Sequence, residues 1–256
     1  MRFDKLEFER PPDRPAKQDV PARVDKDEKY WAKLADDNRR TGSYESALRF
    51  YSRALEVDKT LVSAWVGQVQ MLVRLQEYPQ ASLWSAKALE IFPGNGELMA
   101  SQAQAECRMG NTKKAFGLSD AALRQRGESA YRWQVRGELV LVSKQKNDRY
   151  CFDKAQIADK DWLVPLESAL IYSYYSIPNL AQQRAQMAVE KAPQAYYPWY
   201  VLGACQAKLG FDSAAISSFS TCLHLCPRHA DALARLAELE RPQWPFARIF
   251  GRLMGR

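Results

Sequence analysis

Small residues return along this chain at a fixed interval, and that interval limits the possible folds more than any composition figure does. Ala47 and Ala54 are followed 34 residues later by Ala81 and Ala88, and after the same step by Ala115 and Ala122. Gly42 and Gly110 share one phase of this period, and Trp31 and Trp65 share another. Between the anchors the letters change: "GSYESALRFYSRALEVDK" at 42–59 becomes "QEYPQASLWSAKALEIFP" at 76–93. Spacing kept while identity drifts implies helices that cross closely at the small positions and meet water or a ligand elsewhere. Each unit reads as helix, turn, helix: one apolar-periodic run breaks at the glycine-centred step, and a second stops at a proline or polar turn. One such pair cannot bury its own apolar face, whereas stacked pairs share a continuous core.

The unit resembles the tetratricopeptide repeat, a 34-residue helical pair with aromatic, glycine, alanine and proline positions in set places. Trp199, Leu202, Gly203, Gly210, Ala215, Phe219 and Pro227 match it most fully, with Cys222 where a second packing alanine is usual. The resemblance implies an all-α, right-handed superhelical solenoid of about six units, over 28–61, 62–95, 96–129, 130–161, 162–195 and 196–229. The fifth unit keeps Ala181, Ala188 and Pro193 but has Pro165 in place of the tryptophan. The fourth is two residues short and lacks in-phase glycine and alanines, so Trp133 and Gly137 alone anchor it. Beyond Arg228, Ala232, Leu233, Leu236 and Leu239 give a helical stripe that predicts a capping helix over 230–240. Residues 1–27, with Pro11, Pro12, Pro15 and Pro21 among cancelling charges, predict an extended or disordered arm.

No stretch approaches a signal peptide or a membrane span, so a cytoplasmic protein is expected. Five cysteines without a CxxC pair fit reduced thiols. The net charge of +7 is uneven: Arg241, Arg248, Arg252 and Arg256 stand in the last sixteen residues without an acid, and eleven bases face five acids between Arg108 and Lys154. Cys222, Cys226, His224 and His229 have spacing that hints at zinc, but no second ligand pair accompanies them, and no metal is expected. "GNGE" at 94–97 and "MGNT" at 109–112 lack the spacing that cradles phosphate. With no nucleophile, base and orienter set in view, neither a cofactor nor catalysis is expected.

By the resemblance, first helices line a concave groove that holds an extended peptide or a partner helix. The inward phases give a basic half, Lys29, Asp36, Arg39, Arg40, Gln70, Arg74 and Arg108, and an aromatic and apolar half, Tyr131, Leu163, Leu166, Leu170, Tyr174, Tyr197 and Tyr200. The carboxylate clamp that some family members use for acidic tails is not matched, since Ala32, Asp36, Gly67, Glu97 and Ser101 occupy its positions. The expected role is therefore a non-catalytic adaptor or scaffold for a protein partner, assisting complex assembly. A second reading anchors the chain at an anionic membrane surface through Phe246, Arg248, Ile249, Phe250, Arg252 and Leu253, a basic amphipathic run after Pro245. A weaker third reads the basic stretch as an RNA surface, although nothing there forms a base-stacking module.

Overall fold

A computed structural model describes residues 27–241; the N-terminal arm up to residue 26 and the tail with Phe246, Arg248, Ile249, Phe250, Arg252 and Leu253 lie outside the described residues. Within them the chain is all helix: α1 (Glu28–Arg40), α2 (Tyr44–Val57), α3 (Val62–Arg74), α4 (Tyr78–Ile91), α5 (Gly96–Arg108), α6 (Thr112–Arg124), α7 (Ala130–Val142), α8 (Asp148–Ala158), α9 (Leu163–Tyr174), α10 (Pro178–Lys191), α11 (Tyr196–Lys208), α12 (Asp212–Leu225) and α13 (Ala230–Glu240). Odd helices through α11 pack on one another as an inner layer, and each following helix backs the pair from outside.

The recurrent small residues sit where the helices cross. Ala47, Ala54, Ala81, Ala88, Ala181, Ala188 and Ala215 are fully buried, as is Cys222. Large side chains fill the spaces those alanines leave: Tyr51, Phe152, Tyr172 and Phe219 are at most 2% exposed. Gly67 lies under the Tyr51 ring and Gly203 under Phe219, so a methyl group at either place would overlap an aromatic side chain with nowhere to go. The indoles recur too, since Trp65 Nε1 donates to the Lys59 carbonyl and Trp199 Nε1 to that of Pro193, both at 2.9 Å. Side chains close several helix starts: Asp27, Asn95, Ser129 and His229 each accept a backbone N–H of the first turn.

The turn inside each pair shows how the period survives sequence drift. Gly42, Gly110 and Gly210 have φ of 77°, 85° and 77°, and in the other three pairs the same left-handed place is held by Gln76, Lys144 and Ser176 at 65°, 55° and 56°. Lys144 follows Gly110 by the full 34 residues, so the fourth pair keeps its turn in phase. Its shortening falls afterwards, where α8 starts one residue early and puts Asp148 in the alanine place. The Tyr172 hydroxyl donates to that carboxylate at 2.7 Å, which is how a buried acid is tolerated there. Left-handed backbone is costly for a residue with a Cβ, so Lys144→Gly is expected to raise stability by about 0.5–1 kcal/mol, read as a higher urea midpoint.

Candidate functional site on the concave face

The superhelix brings its first pair against its fifth and sixth. Arg39 on α1 donates through Nε and Nη2 to Oε1 of Glu167 on α9, at 2.9 and 2.5 Å. Arg40 grips Asp161, just before α9, with two parallel bonds of 3.0 and 2.5 Å, and its guanidinium lies 5.3 Å from the Trp162 ring. The hydroxyls of Tyr44 on α2 and Tyr197 on α11 stand 3.1 Å apart, and Gly42 has no side chain where Tyr197 passes. Tyr78 donates to Tyr174 at 3.0 Å. The inner face is thus bridged from rim to rim by side chains.

Burial sets the electrostatics of this bridge. The Arg39 and Glu167 side chains are 17% and 9% exposed. Burial alone would pull the Arg39 guanidinium down, but Glu167 outweighs it and holds the charge above its ordinary value. Hydrogen bonds from Arg40 hold the Asp161 carboxyl below the usual carboxylate value despite some burial. A second centre lies behind the bridge, where Glu138, fully buried, accepts from Arg108, from Gln104 at 2.7 Å and from Tyr175 at 2.8 Å. Tyr174 covers Arg108, whose guanidinium carbon is 3.5 Å from the ring centroid.

Between these contacts lies a cavity of about 720 Å³, walled by α1, α3 and α9 and by the starts of α5 and α7. Asp36, Glu97, Glu128, Asp159, Asp161 and Glu167 contribute carboxylates to it, against Arg39 and Arg40. Gln70 is 6% exposed in its wall, and its side-chain oxygen has no hydrogen-bond partner. Tyr131 also lines the space and donates its hydroxyl to Gln104 at 2.8 Å.

The residues expected to form two open halves of a groove are therefore divided differently. Arg39, Arg40 and Arg108 are already matched by acids of this chain, so a basic half facing a ligand is corrected to arginines spent in internal pairs. Arg74 is half-buried without a hydrogen bond or ion pair to the described residues, and its charge is felt by the hydroxyls of Tyr44, Tyr131 and Tyr197. Leu166 is 1% exposed, and Leu170 packs partly buried against the same cluster, so Leu166 is a core residue with no surface for a partner. Tyr197 is 9% exposed, and Tyr200 packs among Tyr197, Phe219 and His229. Tyr174 alone of the listed tyrosines is open, at 41%.

Elsewhere in the basic stretch Lys114 pairs with Glu106, Arg132 with Glu97 and Arg136 with Asp120. Cys222 is fully buried, and the His229 Nδ1 accepts the Ala232 N–H at 3.2 Å. Among the described residues no group of three His, Cys, Asp or Glu side chains is placed to hold a metal ion, and no helix is long and apolar enough to cross a membrane.

Sequence reasoning missed Glu167, Asp161, Glu138 and Tyr44. A usable signal was present for two of them: Glu167 is the lone acid of "LVPLESALIYSY" and Glu138 of "VRGELVLV", and a carboxylate in so apolar a helix needs a buried partner.

No protein-family model matches the chain, and no curated protein matches it. Solved structures do. It is similar to yeast Tom70, with TM-score 0.54 and 18% identity over 84% of this chain and 48% of that one. It is similar to a tetratricopeptide repeat protein from Parabacteroides merdae ATCC 43184, with TM-score 0.51 and 14% identity over 86% of each. A chain of the APC/C hetero-tetramer Cut9-Hcn1 matches with TM-score 0.51 and 13% identity over 85% of this chain and 44% of that one. The present chain thus spans under half the length of the Tom70 and Cut9-Hcn1 chains it matches. At such identities the likeness is one of fold.

Proposed function

We propose that this chain, which has the tetratricopeptide-repeat fold, is a non-catalytic scaffold that holds a segment of a protein partner against its concave face and so assists assembly of a complex. The observation that carries this reading is the cavity walled by the inner helices, with a buried amide oxygen left unpartnered in its wall. Its size lies within the range of sites that enclose a ligand, about 300–1,000 Å³. The thiols speak for binding over covalent chemistry: burial pushes Cys205 up to about 11 and Cys107 and Cys222 up to about 12, where little thiolate exists at neutral pH.

The test fills the cavity without touching the core. Ser63 is exposed at the start of α3 and lines the space, so a tryptophan there occupies it while the helices behind keep their packing. Proteins captured by the full chain and by Ser63→Trp are compared at matched helical content and melting temperature. Loss of a specific partner from the Ser63→Trp sample, by tenfold or more, is the expected result. Equal capture by both would move the binding surface off the concave face.

A further inference from the structure

Six carboxylates face the cavity, and three arginines answer three of them: Arg39 holds Glu167, Arg40 holds Asp161, and Arg132, from outside the lining, holds Glu97 at 2.8 Å. Asp36, Glu128 and Asp159 have no counter-ion among the described residues. Asp36 accepts the Tyr51 hydroxyl, and Asp159 accepts the backbone N–H of Asp161 at 2.8 Å. Both carboxylates keep their charge and further acceptor sites. Gln70 supplies the independent observation. Its Oε1 is buried without a donor in a residue 94% removed from solvent, and a buried acceptor is rarely left unmatched in a finished fold. What this wall lacks is positive charge carried on N–H groups.

We infer that the cavity receives a lysine or arginine of a basic segment in the partner, its charge answered by Asp36, Glu128 and Asp159 and an N–H supplied to Gln70. This rests on the concave-face reading above and narrows its ligand to one chemistry. The chain as a whole carries +7, so a basic peptide is repelled at long range, and attraction must come from the local excess of acid. The expectation of a basic groove for an acidic ligand is thereby reversed. The sequence held the arginines in view, but not the acids that neutralise them.

The test uses the full chain and a fluorescein-labelled oligo-lysine dodecapeptide, with oligo-glutamate and free spermidine as comparison arms, read by anisotropy and competition. The expected result is saturable binding of the lysine peptide, no binding of the glutamate peptide, and weak competition by spermidine. Asp36→Asn with Glu128→Gln and Asp159→Asn should weaken the lysine peptide at least tenfold and flatten its salt dependence. Gln70→Leu should weaken it severalfold with the salt dependence unchanged, since it removes an acceptor and no charge. Equal affinity in all variants, preference for the glutamate peptide, or spermidine competing as well as the peptide would each overturn the inference. If the lysine peptide fails to bind while Ser63→Trp still loses its captured partner, the concave-face reading stands and the basic segment falls.

Discussion

Glu138→Ala is expected to lower stability by about 3–5 kcal/mol, measured as the change in unfolding free energy from urea titration. The native carboxylate is fully buried and takes donors from Arg108, Gln104 and Tyr175. The Arg108 side chain is 4% exposed and held under Tyr174, so it has no short route to water when its partner is removed. Its Nη2 already lacks a partner in the native fold. An unanswered charge in that position costs far more than the pair contributes by being present. Glu138→Leu combined with Arg108→Met should therefore recover most of the loss, since it removes both charges and keeps the volume. A single substitution that stays within about 1 kcal/mol of the native chain would mean that water reaches Arg108 and the centre is not sealed.

Phe219→Ala should cost about 3–5 kcal/mol as well, by a different cause and with a more telling distribution. Phe219 is fully buried at the junction of α11, α12 and α13, against Tyr200 and over Gly203. In a linear repeat array a cavity there loosens the last unit and its neighbour, because each unit touches only adjacent ones. Here α11 also carries Tyr197, which meets Tyr44 of α2. Hydrogen exchange is accordingly expected to quicken in α11 through α13 and also in α1 and α2, with smaller change in α5 and α6. Protection of α1 and α2 identical to that of the native chain would show that the bridge carries no coupling.

The helical solenoid was legible in the sequence because the determinants of stacking are local and periodic. Ala47, Ala81 and Ala115 announce the crossing points, and Gly42 and Gly110 the turns. Lys144 was harder to read, since a lysine gives no hint of left-handed backbone; only its distance from Gly110 does. The candidate site was legible at the level of which helix faces inward and illegible at the level of what meets what. Arg39 and Glu167 are 128 residues apart, and the angle at which successive pairs stack decides whether they touch. That angle comes from the summed shapes of many packed side chains, which no single motif encodes. Leu166 and Tyr197 were placed on the ligand side for the same reason: phase gives the face of a helix, while the curvature of the whole stack decides how much of that face is left open.

The rim-to-rim bridge fixes the length of the array. Helical pairs are ordinarily modular, and a duplicated unit inserted between α6 and α7 would satisfy both neighbours through the same small-residue crossings. In this chain it would also displace α9 by the width of a helix, about 8–10 Å, well beyond the reach of Arg39 toward Glu167 and of Tyr44 toward Tyr197. Unit number, free to drift in an open array, is here held by partners that never adjoin in sequence. Gain or loss of a unit would strand Glu167, buried and charged, and so would be opposed by the same energetics that oppose a core mutation.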